Sequence, residues 1–162
     1  MIVIVEGVDG SGKSTLCKKL VDLGYDQAII TGGATEFERY ENLKNSYKYS
    51  VVVMDRSFIT DLVYRSIDCK QRRGMNLYEI MQICDDRVKI IHCTSDTSFK
   101  DSIERGEDNI TTETENLTIK SVYHTIINIF KTFTDVEIMN YDWHINNIDD
   151  VINFIKGGKD AV

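Results

Sequence analysis

The stretch Gly7-Val8-Asp9-Gly10-Ser11-Gly12-Lys13-Ser14, at residues 7–14, decides the fold. It fits the pattern G-x-x-x-x-G-K-[ST], in which glycines let the backbone turn tightly and point successive N–H groups at phosphate oxygens. An apolar run at 2–5 precedes this stretch, and an amphipathic pattern at 13–23 follows it. The order of strand, glycine loop and helix is the one that the motif requires. The stretch therefore predicts a phosphate-binding loop, or P-loop.

Several positions of the P-loop have expected roles in binding ATP. Lys13 is expected to reach the β- and γ-phosphates, and the Ser14 hydroxyl is expected to ligate Mg²⁺. The helix that begins at Lys13 adds the positive end of its dipole. We therefore expect ATP to bind together with Mg²⁺ as cofactor. The predicted ATP-binding residues are Gly7, Gly10, Ser11, Gly12, Lys13, Ser14 and Thr15.

Apolar runs alternate with helical patterns along the whole chain. Five runs read as strands, at 2–5, 27–31, 50–54, 88–93 and 136–139, and helical patterns lie between and after them, at 13–23, 35–46, 56–68, 75–84, 96–105, 111–131 and 147–156. Strands that are apolar throughout are typical of a parallel sheet buried on both faces. The alternation predicts an α/β, P-loop NTPase-type three-layer fold, with a five-stranded parallel sheet flanked by helices in a single domain at 1–162. Ligands of such sheets bind beyond the carboxyl ends of the strands.

Composition restricts the class of protein. The 162 residues carry a net charge of −7 and the pI is near 4.9, whereas a protein that grips a nucleic-acid backbone is more often basic. Nucleic acid is therefore an unexpected partner. The four cysteines lack metal-binding spacing, which favours reduced thiols in a cytoplasmic protein. No run approaches the roughly 20 apolar residues of a membrane span, so no membrane association is expected.

A second group of polar residues follows the strand predicted at 50–54. Asp55 can hold a water on Mg²⁺ or accept a substrate hydroxyl, and Arg56 can fork onto an acceptor phosphate. Thr60 and Tyr64 are four residues apart on the next helix, so they share a face that can line a substrate pocket. The alternative is that Asp55 caps this helix, Arg56 is solvated and Tyr64 belongs to the core.

The chain resembles the thymidylate kinase family of nucleoside monophosphate kinases in three places. Residues 6–15, with the sequence EGVDGSGKST, are similar to the P-loop of that family. Asp55-Arg56, with Thr60, Val63 and Tyr64 at their offsets, is similar to its D-R-[YH]-x-x-S-x-x-A-Y motif. Residues 105–108, with the sequence RGED, resemble the start of its phosphate-covering lid, which is expected at about 104–116.

The resemblance implies roles for individual residues. Asp9 would contact the sugar 3′-hydroxyl of the acceptor, and Arg56 would contact its phosphate. Members of the family that lack a catalytic arginine in the P-loop supply one from the lid. Gly10 occupies that P-loop position in this chain, so Arg105 would be the lid arginine. An arginine that enters as the lid closes neutralises charge on the transferring phosphoryl group.

The resemblance also implies how the base of the acceptor is read. The family uses a Phe and an Arg on a helical insertion, and Phe37 and Arg39 could stack on the base and hydrogen-bond its carbonyl edge. Alternatively, Phe37 is a core anchor and Arg39 pairs with acids one helical turn away. Trp143 follows the last predicted strand, near where such kinases hold adenine, but core packing is the stronger expectation for it.

These motifs predict transfer of the γ-phosphoryl group of ATP to a deoxynucleoside monophosphate, either thymidylate or a related pyrimidine nucleotide. A GTPase would instead need the motifs D-x-x-G and N-[KT]-x-D downstream of the P-loop, and the chain has neither. The predicted catalytic residues are Lys13, Arg56 and Arg105. The predicted acceptor-binding residues are Asp9, Phe37, Arg39, Asp55, Arg56, Thr60 and Tyr64. The predicted metal-binding residues are Ser14 and Asp55.

Two alternatives stay open. Asp55-Arg56-Ser57 also resembles the Glu-Arg-Ser motif of deoxynucleoside kinases, in which case Asp55 would be the general base for a 5′-hydroxyl. The other alternative is a non-catalytic module that binds ATP. As to assembly, the helical pattern at 56–68 is apolar on two faces. One face could pack on the sheet and the other on a second subunit, which makes a homodimer possible.

Overall fold

The computed structural model describes residues 1–28, 36–46, 48, 50–68, 75–104, 106 and 112–157. The strands in these residues are β1 (Ile2–Glu6), β2 (Asp26–Ala28), β3 (Val52–Asp55), β4 (Val88–Cys93) and β5 (Glu137–Tyr141). All of them pair in parallel, in the order β2-β3-β1-β4-β5. The predicted five-stranded parallel sheet is confirmed.

Helices cover both faces of the sheet. In the described residues they are α1 (Lys13–Asp22), α2 (Glu36–Ser46), α3 (Phe58–Asp68), α4 (Leu77–Ile83), α5 (Ser98–Glu104), α6 (Glu113–Phe133) and α7 (Ile148–Lys156). Successive residues of a strand point to opposite faces, so Ile4 packs with the cluster that includes α3 and α6, while Val3 and Val5 pack with α1 and α7. The predicted three-layer α/β fold is confirmed.

The strand register places the polar motifs next to one another at the carboxyl ends of the strands. Val5 of β1 lies opposite Asp55 of β3, and Glu6 lies opposite His92 of β4. The P-loop leaves the carboxyl end of the central strand β1, so it has the end of β3 on one side and the end of β4 on the other. This is the crevice in which open α/β sheets bind ligands.

Side-chain caps explain several small differences between the predicted and observed helix bounds. Thr112 and Asn147 each accept a hydrogen bond from the third helical residue in a capping box, so α6 and α7 begin one residue after them. The strand predicted at 27–31 begins at Asp26, and residues 29–31 lie outside the described part of the chain.

The apolar residues of α3 find their partners within one chain. Ile59 and Val63 are fully buried, and Leu62 and Ile67 pack on the same core, against which α6 also lies. The helix therefore needs no second subunit to cover it, and the homodimer stays a prediction without that support. Cys17, Cys84 and Cys93 are free thiols, while Cys69 lies outside the described residues. Among the helices described, none has the length and apolar character needed to cross a bilayer.

Candidate functional site

The P-loop folds around the carbonyl oxygen of Val8. Lys13 Nζ donates a hydrogen bond of 2.5 Å to this oxygen, and Ser11 Oγ donates one of 2.7 Å. Lys13 is only 5% exposed, and burial, followed by the nearby charge of Arg56, lowers its pKa. The ammonium group is thus held within the loop, at the start of α1.

Gly12 ends the P-loop in a left-handed conformation, with φ of 86°, and α1 begins at the next residue. The Trp143 ring lies on this glycine, since a Cβ there would be 3.0 Å from Trp143 Cδ1. Trp143 is 45% exposed, and its ring contacts His144 with centroids 3.7 Å apart. The prediction that Trp143 packs in the core is wrong. Because Trp143 follows a strand that is parallel to β1 and β4, it lies at the carboxyl ends of the strands, as the P-loop does.

Gly10 is the point at which α5 packs on the P-loop. A Cβ at Gly10, where φ is 82°, would overlap the Ser98 carbonyl oxygen and approach Ser102 Oγ. Packing therefore excludes an arginine from this position of the loop. Ser14 and Thr15, by contrast, are exposed in the first turn of α1.

Arg56 faces the P-loop from the end of β3. Its Nη2 atom forms an ion pair with Asp9 Oδ1, and both side chains are 35% exposed. The Tyr64 hydroxyl interacts with both charged groups. Burial acts to lower the pKa of Arg56, but Asp9 and the neighbouring tyrosines outweigh it, so the pKa is raised and the guanidinium stays charged. The structure therefore brings Asp9, Arg56 and Tyr64 together, and Arg56 is not a freely solvated side chain.

The backbone of Arg56 is strained. Among the described residues other than glycine, Arg56 alone has a positive φ, of 68°. Its N–H donates a hydrogen bond of 3.0 Å to the Val5 carbonyl oxygen, which holds the turn after β3 against β1. A left-handed residue with a side chain costs about 1–2 kcal/mol, and such strain clusters at functional sites.

Asp55 and Ser14 have the chemistry of a Mg²⁺ site. Asp55 lies on the same face of β3 as Val53, which packs on the α1 side of the sheet, because alternate residues of a strand share a face. Burial raises the pKa of the nearby Cys17 thiol, and the charge of Asp55 adds to that shift. Its Oδ1 atom is buried and has no hydrogen-bond partner in the described part of the chain, although an unsatisfied buried oxygen is costly. Mg²⁺ binds one or two carboxylates, substrate phosphates and several waters, so these two residues fit the ion.

Sequence reasoning missed Glu6 as a candidate functional residue. Glu6 ends β1 and is fully buried. Its carboxylate accepts hydrogen bonds from the hydroxyls of Ser57 at 2.6 Å, Thr60 at 2.6 Å and Tyr123 at 3.2 Å. Burial raises the pKa of Glu6, and the hydrogen bonds from Ser57 and Thr60 oppose that shift. An acidic residue at the end of an apolar strand is the signal that could have found it.

Thr60 and Tyr64 share a face of α3, but their hydroxyls serve different groups. Thr60 donates to Glu6 Oε2 and lies 2.9 Å from the Tyr123 hydroxyl. Tyr64 instead lies beside the pair of Arg56 and Asp9. The structure therefore does not bring the Thr60 and Tyr64 hydroxyls together around one group.

Three predicted residues lie at the margin of this site or outside the described chain. Phe37 is 47% exposed on α2, so the alternative that it anchors the core is wrong. The side chain of Arg39 and all of Arg105 lie outside the described residues. Of the lid expected at about 104–116, the described part includes the Thr112–Glu115 capping box that starts α6.

Solved structures share this fold. The YorR protein of Bacillus subtilis, in complex with phosphorylated GDP, matches with a TM-score of 0.73 and 22% identity over 96% of both chains. Deoxyadenosine kinase from M. mycoides, with the products dCMP and a flexible dCDP, matches with a TM-score of 0.63 and 16% identity over the full length of both chains. The same kinase with bound dATP matches with a TM-score of 0.64 and 15% identity over 96% of this chain and 100% of that one. The sequence matches no protein-family model and no curated protein. At these identities the comparisons establish the fold, which this chain shares along almost its whole length.

Proposed function

We propose that this protein is an ATP-dependent phosphotransferase. It transfers the γ-phosphoryl group to a deoxynucleoside monophosphate, such as thymidylate or a related pyrimidine nucleotide, and yields the diphosphate. One observation carries the proposal: Arg56, at the end of the strand beside β1, extends its guanidinium to Asp9 of the same P-loop that holds the Lys13 ammonium. Two cations placed in this way can hold two phosphate groups end to end.

On the donor side, the P-loop amides and Lys13 would hold the triphosphate. Lys13 Nζ donates to the neutral Val8 carbonyl oxygen, and a phosphate oxygen would be a charged and therefore stronger acceptor for it. Trp143 is exposed beside Gly12, so its ring is available to stack on the adenine base.

On the acceptor side, Arg56 would bind the phosphate of the monophosphate, and Asp9 would accept a hydrogen bond from the sugar hydroxyl. The planar guanidinium can bind a phosphate through two parallel hydrogen bonds. Tyr64, beside both groups, would add a hydroxyl donor. The exposed ring of Phe37 would stack on the base, with Arg39 on its edge.

Catalysis would rest on positioning and charge neutralisation. The attacking phosphate oxygen is already anionic, so in-line attack needs no strong general base. Lys13 would stabilise the transferring group together with Arg105, since packing against α5 excludes an arginine at Gly10. Ser14 and Asp55 would hold Mg²⁺, which neutralises phosphate charge when bound.

A deoxynucleoside kinase is the second candidate. One observation favours it: the Asp9 carboxylate is paired with Arg56 and so offsets the charge that a phosphate acceptor needs. A fold neighbour is also a deoxyadenosine kinase. In this case Asp9 is a better candidate than Asp55 for the general base. Asp9 is paired with Arg56, whereas Asp55 lies on the α1 side of the sheet, near Cys17. A third possibility, a non-catalytic ATP-binding module, predicts ATP binding without acceptor-stimulated ADP release.

Release of ADP from ATP and Mg²⁺, measured across a panel of deoxynucleosides and their monophosphates, tests the proposal. We expect stimulation by a pyrimidine monophosphate. Stimulation by nucleosides alone would replace the first candidate with the second, and Asp9→Asn should then abolish turnover. No stimulation by any member of the panel would contradict both kinase candidates.

A further inference from the structure

We infer that Glu6 is a positioning residue, which holds Arg56 against Asp9 through the hydroxyl of Ser57. The inference rests on the proposed function, because the acceptor concerned is the acceptor of that reaction. It assigns a task to a buried carboxylate that the proposed chemistry does not use.

Two neighbouring residues of β1 hold two neighbouring residues of the turn after β3. The Val5 carbonyl oxygen accepts the N–H of Arg56 at 3.0 Å, and Glu6 Oε1 accepts the hydroxyl of Ser57 at 2.6 Å. Ser57 Oγ also accepts the N–H of Ile59 at 3.1 Å, at the start of α3. The turn is therefore fixed on both sides of the Arg56 side chain.

A carboxylate suits this position because hydroxyl donors converge on it. Oε2 accepts from Thr60 and Tyr123, while Oε1 accepts from Ser57. An ionised carboxylate is an acceptor through both of its oxygens, whereas an amide would direct an N–H₂ group at hydroxyls that already donate. Burial raises the pKa of Glu6, while the hydrogen bonds from Ser57 and Thr60, and then the charges of Lys13 and Arg56, act in the opposite direction.

The left-handed backbone of Arg56 explains why this support matters. A residue with φ of 68° is strained, so it persists only where the surroundings over-determine it. Without the bond from Ser57 to Glu6, the turn can relax towards an ordinary conformation. The guanidinium would then lose its place beside Asp9.

Steady-state kinetics on Glu6→Gln tests the inference. We expect the KM for the acceptor to rise about 10-fold or more, as for loss of a hydrogen bond to a charged group, while the KM for ATP changes less than about 2-fold. In an Arg56→Ala background, Glu6→Gln should raise the KM for the acceptor little further, because its effect on acceptor binding depends on Arg56. The control is Ile4→Val, which removes a buried methyl group from β1; it should lower stability and leave both KM values unchanged.

A second variant and a second measurement keep the outcome decisive. Ser57→Ala removes the link next to Arg56 and should reproduce the rise in acceptor KM if Glu6→Gln fails to fold. Equal rises in both KM values, or an undiminished effect in the Arg56→Ala background, would overturn the inference. Crystal structures of the wild type and the folded variants do not depend on activity. If the wild type transfers no phosphate, the proposed function fails. If the ion pair of Arg56 and Asp9 keeps its geometry in the crystal structures of both variants, the role of Glu6 is refuted separately.

Discussion

Arg56 and Lys13 place two positive charges at the carboxyl ends of neighbouring strands. The charge of Arg56 is the second cause, after burial, of the lowered pKa of Lys13, and the charge of Asp9 opposes it. Like charges at short range repel in a partly buried site, and a phosphate group between them is stabilised by both. At the scale of single residues, the proposed reaction therefore depends on where the Arg56 guanidinium points.

Replacement of Arg56 by lysine should impair acceptor binding selectively. A lysine keeps the charge but loses the planar fork and its bidentate geometry, so we expect the KM for the acceptor to rise roughly 10- to 100-fold, as for loss of a charged hydrogen bond. Initial rates at varied acceptor and ATP concentrations would measure this. The matched control is Arg87→Lys, just before β4 at the opposite edge of the sheet, which should leave both KM values unchanged. If the KM for the acceptor is unaltered in Arg56→Lys, Arg56 does not bind the acceptor.

His92 should make stability depend on pH. Burial lowers its pKa to about 4, and its ring lies against Tyr123. The unfolded chain, with a His pKa of about 6.5, therefore binds the proton first on acidification. The contribution of neutral His92 is complete above about pH 6.5 and is lost as the pH falls towards 4.

Urea unfolding at pH 7 and pH 5 would measure this dependence. We expect the wild type to lose about 2 kcal/mol more between these pH values than His92→Gln. Both proteins keep the two exposed histidines, His124 and His144, so the difference between the two proteins reports on His92. If His92→Gln and the wild type lose the same free energy of unfolding, His92 is not held neutral by burial.

At the scale of elements, the contact between α5 and the P-loop links the proposed phosphate site to the segment that leads into the expected lid. Gly10 meets the first turn of α5 without space for a Cβ, and Ser98 and Ser102 of that helix are buried. Because packed interiors do not absorb extra atoms, a change at this contact should alter both the P-loop and the position of α5.

Gly10→Ala should lower the free energy of unfolding by more than the strain of an alanine in a left-handed conformation would alone. The new methyl group adds an overlap with the Ser98 carbonyl oxygen to the backbone strain. Gly24→Ala is the matched control, since Gly24 has φ of 94° and a Cβ added there would meet no atom within 4 Å. We expect Gly24→Ala to cost about 1–2 kcal/mol and Gly10→Ala to cost at least about 2 kcal/mol more, as measured by urea unfolding. Equal losses in the two variants would refute the close packing of α5 on the loop.

At the scale of the whole molecule, periodicity predicted the layers, and motifs predicted which strand ends matter. Apolar runs such as 88–93 and the order of elements determine a parallel sheet almost without ambiguity. The contacts within the site depend on three-dimensional neighbours that no local pattern encodes. From the sequence, Glu6 is only the last residue of a strand. The structure shows that Ser57 and Thr60, 51 and 54 residues later, donate hydrogen bonds to it. Trp143 reads as core until the parallel direction of β5 places it beside Gly12.

Transfer of a radiolabel from the γ-phosphate of ATP to a pyrimidine deoxynucleoside monophosphate tests the central claim most directly, because it separates transfer from hydrolysis. With the wild type, we expect the label in the nucleoside diphosphate. Lys13→Met should lower the rate about 100-fold or more, since a buried ammonium that stabilises the transferring group contributes several kcal/mol. Label found in inorganic phosphate alone, or a wild-type rate of transfer by Lys13→Met, would contradict the account.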